Sequence, residues 1–309
     1  MSKSLDRLTL LQTFVRIAEA GSISAAARDL GLSQPSVSRQ LAYLESQFKA
    51  QLMRRTTHTL SLTEAGAKLL VDARRLLDDW EALEEKHIAS EETLRGRLKV
   101  VAPVALGQMH LIEMAIAFQQ EHSLISLSWQ LEDHAIRFAE VGCDCWIKIG
   151  AVPNDALIVE PLGQVERIVV AAPALLAAHG QPKTPAAAEA LPWVALDPFE
   201  GSQIPLTSGG DKSAILSPTA RMTTNNIFAL YRATVVGLGA SVMPRWFVEQ
   251  DLASQRLVNL LPQWQAPKLA INAAYFPGRH RPRRLLSFLE MLREAVPTIP
   301  GVEPSDRSA

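Results

Sequence analysis

Cysteine is scarce in this chain of 309 residues: Cys143 and Cys145 are the two present, both within Gly142–Gly150. Residues i and i+2 of a strand share a face, but adjacent positions are poor geometry for a disulfide. A metal site would need more ligands, and no histidine cluster stands nearby in sequence. The two are therefore read as buried thiols packing as small hydrophobes, with a redox pair as the weaker alternative. Long apolar runs are also missing; none approaches the ~20 residues needed to span a bilayer. Met1 to Leu10 carries polar and charged residues and lacks the continuous apolar core of a secretory leader. A soluble, cytoplasmic protein with no membrane partner is the expectation.

Signatures of catalysis are equally scarce. Gly237-x-Gly239 lacks the third glycine of a dinucleotide fingerprint, and Gly210-Asp211-Lys212-Ser213 lacks the Gly-Lys adjacency of a phosphate loop. No G-x-S-x-G nucleophile elbow occurs, and the seven histidines are dispersed without an H-E-x-x-H pair. His110 reads as a partly buried structural residue rather than a base. Neither an enzyme, nor a cofactor, nor a metal is expected. A net charge of −1 likewise excludes a strong overall field, but it hides a segregated basic end. Over residues 1–60, eight Lys and Arg face four Asp and Glu. A local positive excess favours phosphate contact.

That basic end has a recognisable pattern. Ser22 can cap a helix whose inner face holds Ile23, Ala26, Ala27 and Leu30. Gly31 supplies a turn, where positive φ is easily accommodated. Ser33 then caps a second helix with Pro35 in its first turn. Val37, Leu41, Leu44 and Phe48 share one face of it, leaving Gln34, Ser36, Ser38, Arg39 and Tyr43 pointing elsewhere. Hydrogen-bonding side chains at a helix N-terminus suit the major groove. Leu52 to Arg55 and Thr59 to Leu62 read as a hairpin tipped by Thr56, Thr57 and His58. The pattern is a winged helix-turn-helix. Ser22, Ser24, Ser33, Gln34, Pro35, Ser36, Ser38, Arg39, Arg54, Arg55, Thr56 and Thr57 are the candidate contacts to double-stranded DNA.

These residues resemble the LysR-type transcriptional regulators. The family pattern G-S-[FI]-[ST]-x-A-A-x-x-L stands at Gly21 to Leu30, and S-Q-[PS]-[AS]-[VL]-S-R-x-[IL]-x-x-L-E at Ser33 to Glu45. L-[FM]-x-R follows at Leu52 to Arg55 and L-T-x-A-G at Leu62 to Gly66. Phe48-Lys49 replaces the usual Leu-Gly. Further along, Ala102-Pro103-Val104, Asp144 with Ile147 to Gly150, Thr224-Asn225 and Gly237 to Pro244 look like the branch whose members carry APVxxG and D-x-A-I-R-I-G. The resemblance implies a two-lobed effector-binding domain like that of periplasmic solute-binding proteins, and a linker helix that dimerises.

The residues between are consistent with that linker. Thr63 opens a helix running to about His87, with Leu69, Ala73, Leu76, Trp80, Leu83 and His87 spaced 4, 3, 4, 3, 4. That spacing is a coiled-coil seam, and Leu69, Ala73, Leu76, Trp80 and Leu83 are the expected dimer contacts. At 309 residues the chain has room for one or two domains beyond the DNA reader. From Leu98 strands alternate with helices, which argues for mostly parallel sheets. Strands are expected at Leu98–Ala102, Ile125–Leu131, Cys145–Ile149, Ile168–Ala171, Val194–Leu196, Ala240–Met243 and Lys268–Phe276. Helices are expected at Leu106–Phe118, Ala135–Val141 and Arg284–Val296. From Pro297 the tail reads as disordered.

The expected architecture is α/β with an N-terminal winged helix-turn-helix over residues 1–66 and a linker helix and hinge over 67–95. An effector domain fills 96–300, with lobe one at 96–162 and 268–296, lobe two at 163–267, and a tail at 301–309. In an open α/β sheet, ligands bind beyond the carboxyl ends of strands. Pro103, Val104, Ala105, Glu132, Asp133, Pro198, Phe199, Thr224 and Asn225 are the candidates there, with simple helix capping an equal reading of Thr224-Asn225. A partly apolar cleft with a few polar groups suits a small organic acid. The chain thus reads as a transcriptional regulator modulated by a small-molecule effector. Its partners are DNA, the effector, a second copy in a homodimer or homotetramer, and the transcription machinery. A cytoplasmic enzyme or solute-binding protein on the same two-lobed fold is the alternative.

Overall fold

Three short helices at the N-terminus cross over one apolar centre. The computed structural model describes residues 6–55, 60–87, 94–154, 156–197, 203–209, 212–277 and 281–305. Helices α1 (Arg7–Ala20), α2 (Ile23–Asp29) and α3 (Gln34–Phe48) are capped by Asp6, Ser22 and Ser33. Leu10, Phe14, Ile17, Ala26, Val37 and Leu41 are buried together. Inside this core Thr13 donates to Gln40 at 2.5 Å, tying α1 to α3. Phe48, expected on the inner face, is instead 52% exposed. Phe48 is the last residue of α3, where the helix has run past the core, and Lys49 closes the helix in the left-handed region at φ 50.

Strands β1 (Met53–Arg55) and β2 (Leu60–Leu62) pair antiparallel as the wing, whose tip residues Thr56 and Thr57 lie outside the described residues. Glu45 of α3 accepts from the backbone N–H groups of Leu52 (2.8 Å) and Met53 (3.2 Å), so α3 holds the wing directly. Thr63 accepts from Gly66 N–H and starts α4 (Glu64–His87). A side chain on Gly66 would sit 2.0 Å from the Leu52 carbonyl oxygen, so only glycine lets α4 lie this close to the wing.

The second region opens with β3 (Gly96–Ala102). Helices α5 (Val104–Met109) and α6 (Ile112–Glu121) follow, then β4 (Ile125–Leu131), α7 (Phe138–Val141) and β5 (Cys145–Ile149). The single helix expected over Leu106–Phe118 is two. Both His110 and Leu111 donate to the Leu106 carbonyl, and the break turns Leu111 fully into the core. Next come β6 (Ile158–Ala171), α8 (Pro173–His179), α9 (Pro185–Ala188) and β7 (Trp193–Leu196). The hairpin β8 (Ile204–Ser208) and β9 (Lys212–Leu216) was not foreseen. β10 (Ala220–Thr224), α10 (Ile227–Val235), β11 (Ser241–Pro244), α11 (Arg245–Ala253) and β12 (Val258–Asn259) lead to β13 (Trp264–Tyr275), α12 (Arg283–Ala295) and β14 (Val302–Pro304).

Among the described residues parallel ladders are confined to β4-β3-β5 in lobe one and to β7-β10, with one isolated parallel bridge at Trp193↔Ala240. The main sheet, ordered β11-β6-β13-β5-β3-β4, is otherwise antiparallel, correcting the mostly parallel expectation. The cause is the length of β6 and β13, which pair from Tyr275↔Ile158 to Ala266↔Arg167. Both strands run through the two lobes, so the expected divisions at 162/163 and 267/268 cut through continuous strands. The tail is corrected too: Val302 pairs with Val165, is buried, and makes β14 an edge strand on β6.

A left-handed lysine costs roughly 1–2 kcal/mol, of which glycine's extra chain entropy takes back part. Lys49→Gly should therefore stabilise the N-terminal domain by about 0.5–1 kcal/mol, read as a higher urea midpoint. A lower midpoint would mean that the lysine side chain holds more than its backbone loses.

Candidate DNA-reading face and effector cleft

On α3, Gln34, Pro35 and Arg39 are exposed and Ser36 and Ser38 half-exposed, forming one outward face. Arg39 Nε donates to the Pro35 carbonyl at 3.4 Å, which lays the guanidinium along the helix start. Ser33 and Ser22 accept from Ser36 and Ala25 N–H groups as caps, so their oxygens are partly engaged, while Ser24 is exposed. Arg54 is exposed on the wing; the Arg55 side chain lies outside the described residues.

The linker seam divides in two. Ala73 is 2% exposed within the N-terminal core, and Leu69 packs against that core, so these two do not point to a second chain. The reason is that the first turns of α4 complete the winged domain, through α1. Beyond it Leu76, Trp80 and Leu83 are 50%, 42% and 41% exposed, a continuous apolar strip.

Between the lobes lies a cavity of about 80 Å³. Pro103, Ala105, Glu132, Asp133 and Asn225 line it; Val104 and Thr224 do not, and Pro198 and Phe199 lie outside the described residues. The α5 N-terminus is already filled: Val104 N–H donates to Asp133 Oδ1 at 2.9 Å. Burial lifts the Asp133 carboxyl above its ordinary range, against that hydrogen bond. Thr224 and Asn226 carry the capping of α10. Asn226 accepts from Phe228 and Ala229, and Thr224 Oγ accepts from Asn226 N–H. Asn225 is thereby turned to the cleft, where its amide meets His134 Nε2 of the other lobe at 2.9 Å. Glu132 accepts from His134 Nδ1 (2.8 Å) and N–H (3.0 Å), and these bonds hold its carboxyl below the usual range. With the proton on Nδ1, Nε2 accepts from Asn225. Glu132, His134 and Asn225 therefore bridge the lobes.

Several cleft residues were missed. Lys148 at the end of β5 donates to the Asp133 carbonyl at 3.2 Å, and burial lowers its pKa. Arg167, buried in β6, donates to the Pro267 carbonyl at 2.8 Å. Leu106, Ile149, Leu196, Ile227, Val242 and Trp246 supply apolar wall. Trp246 meets His110 edge-on at 4.9 Å, and burial keeps His110 below its ordinary pKa. A rule based on strand ends finds Lys148; nothing in the pattern marks Arg167, which sits mid-strand. The thiols of Cys143 and Cys145 are buried, and burial pushes Cys143 up to about 12. Among the described residues no three metal-binding side chains converge, and no helix is long and apolar enough to cross a membrane.

A winged helix joined by a long helix to a two-lobed domain with a cleft defines a DNA-binding regulator with an effector domain. The comparisons agree. Residues 8–67 match the model of the bacterial regulatory helix-turn-helix protein, lysR family, and residues 91–297 match the LysR substrate binding domain. The chain is 31% identical to the HTH-type transcriptional regulator PtxR of Pseudomonas aeruginosa, over 98% of each. The structure of CrgA, a LysR-type transcriptional regulator from Neisseria meningitidis, is 27% identical with a TM-score of 0.58, covering 93% of this chain and 97% of that one. A full-length OxyR variant from Pseudomonas aeruginosa, 17% identical, has a TM-score of 0.73 over 98% and 99% of the two chains, a likeness of fold. The chain belongs to the LysR-type family of transcriptional regulators, which are not enzymes.

Proposed function

We propose that α3 reads a specific duplex, that Leu76, Trp80 and Leu83 pair two copies, and that a small organic acid in the cleft biases the lobes. The observation that carries the effector class is the placing of Lys148 and Arg167 beside the apolar wall of the cleft. A carboxylate gains charge-assisted hydrogen bonds from such cations, which are stronger than neutral ones. Glu132, Asp133 and Asp197 also line the cleft, so an acid that carries a hydroxyl or amino donor fits better than a plain one. The cavity is small beside the ~300 Å³ typical of ligand pockets, so entry requires the lobes to part. Parting costs the His134–Asn225 bond, and an effector acts only through its different affinity for the two lobe arrangements.

Loss of a base contact costs ~1–3 kcal/mol and relaxes sequence preference. Arg39→Ala should bind its specific duplex at least several-fold more weakly, measured against a scrambled duplex at several salt concentrations. Equal loss on both duplexes would reassign Arg39 to phosphate.

Trp80→Glu places a carboxylate on the exposed apolar strip of α4 and should shift the sedimentation profile toward monomer. An unchanged profile would remove this strip from the subunit contact.

For the cleft, organic acids that raise the thermal midpoint of the full chain are to be found by screening. Lys148→Gln should weaken any such acid about tenfold or more, while DNA affinity without it stays unchanged. An acid that binds wild type and variant alike would place the site elsewhere.

A further inference from the structure

The N-terminal domain of this chain does not hang from its linker; it rests on lobe one across a charged cavity of about 210 Å³. From α1, Glu19 reaches Arg97 of β3 at 3.4 Å and Arg74 of α4 at 3.3 Å, with Arg16 at 3.1 Å on its own helix. Arg74 is buried against Gly142, where a side chain would come within 1.8 Å of its guanidinium. Gly142 has φ +67, so glycine is needed there both for backbone and for space. Glu81 of α4 pairs with Arg284 of α12 at 2.7 Å. Into the same cavity face Asp78, Asp79 and Arg75 of α4, Lys99 of β3, Cys143 and Asp144 after α7, and Arg281 before α12. Lys99 donates its ammonium to the Val141 carbonyl (2.7 Å) and its N–H to Asp144 (2.6 Å).

We infer that this junction is a proton-linked latch, in which Asp78 on the linker helix and Asp144 on lobe one must share a partly dry cavity whenever the N-terminal domain is docked. Docking removes water from both carboxyls, and their mutual repulsion adds to the cost. Arg284 and Arg74 offset part of it. Burial is the largest cause in each case, and it pushes Asp78 up to about 7 and Asp144 up to about 6. Released from the junction, an aspartate returns towards its ordinary value of about 4. The docked chain therefore holds protons that the released chain gives up between about pH 4 and pH 7. Acid strengthens docking, and docking weakens as pH rises through neutrality. One stretch of chain joins the latch to the cleft: Glu132 to His134 line the cleft, and Gly142 to Asp144 close on the junction. The latch itself needs no effector, so its test is separate from that of the cleft.

The test uses the full chain carrying spin labels at Gln12→Cys and Ser123→Cys, both exposed sites, while the two native thiols are buried. Labelled protein is diluted in an excess of unlabelled protein, and the intramolecular distance distribution is recorded from pH 5.5 to 8.5. In the wild-type background the ratio of docked to released chains should fall on the order of a hundredfold across that range. With Asp78→Asn the fall should shrink to a few-fold, the part that Asp144 alone carries. A pH-independent distribution in the wild type, or an undiminished pH response in the variant, would overturn the latch. If Asp78→Asn does not fold, judged by its thermal melt, Asp78→Ser carries the same expectation and the same contrary results.

Discussion

The antiparallel pair of β6 and β13 is the constraint on which the effector domain depends. Two strands of 14 and 12 residues, hydrogen-bonded along most of their length, pass through both lobes. Lobe one adds β5 to one side of β13, and lobe two adds β11 to the far side of β6. Each lobe therefore builds on the same backbone ladder, and one buried cluster includes Leu98 and Phe288 with Leu230 and Met243. Such a pair can bend where its register shifts, between Ala266 and Leu269 and between Ile271 and Asn272, but it cannot let the lobes drift apart. The cleft lies where this pair crosses from lobe to lobe, with Arg167 on β6 and Leu269 on β13 in its lining. The cleft lining thus includes the strand pair on which both lobes are built.

The N-terminal domain solves a different problem, that of holding a thin wing at a fixed angle to the reading helix. Two strands of three residues have little stability of their own. Glu45 supplies it by accepting two backbone N–H groups from the start of the wing, which couples wing position to α3 rather than to solvent. Gly66 then lets α4 lie against the same stretch, so α4, the wing and α3 meet at one corner. Two of the family's motif positions thus have physical reasons in a single corner: a carboxylate that anchors, and an absent side chain that permits contact.

Buried charge at the junction with lobe one is not an obvious source of stability. Taking Asp78, Asp144, Arg74 and Arg284 from water costs several kcal/mol per ion before pairing returns it. Apolar residues of similar size would pack there at less expense. What charges add is conditionality, because their balance changes with protonation while that of an apolar contact does not. A regulator whose two ends must sometimes communicate gains more from a conditional contact than from a permanent one.

The sequence by itself determined the N-terminal half of the argument. Caps, turn and apolar spacing are local, so Ser22, Ser33 and Pro35 marked α2 and α3 without reference to anything distant. The strands Ile125–Leu131 and Cys145–Ile149 were legible for the same reason, the first as an alternation of apolar and polar residues and the second as a short, mostly apolar run. The limits of local reading show where partners are remote. Val302 to Pro304 looked like a disordered tail because what orders it, β6, lies some 140 residues earlier in the chain. Ala73 and Trp80 sit on one stripe of one helix, yet one is covered by the chain's own core and the other exposed, a difference no periodicity records. Arg167 entered the cleft only through the pairing of distant strands, and His134 met Asn225 only through the approach of two lobes. Local sequence decides which elements form, because capping and periodicity act within a few residues. Tertiary structure decides which side chains meet, because that depends on chain segments the local pattern does not contain.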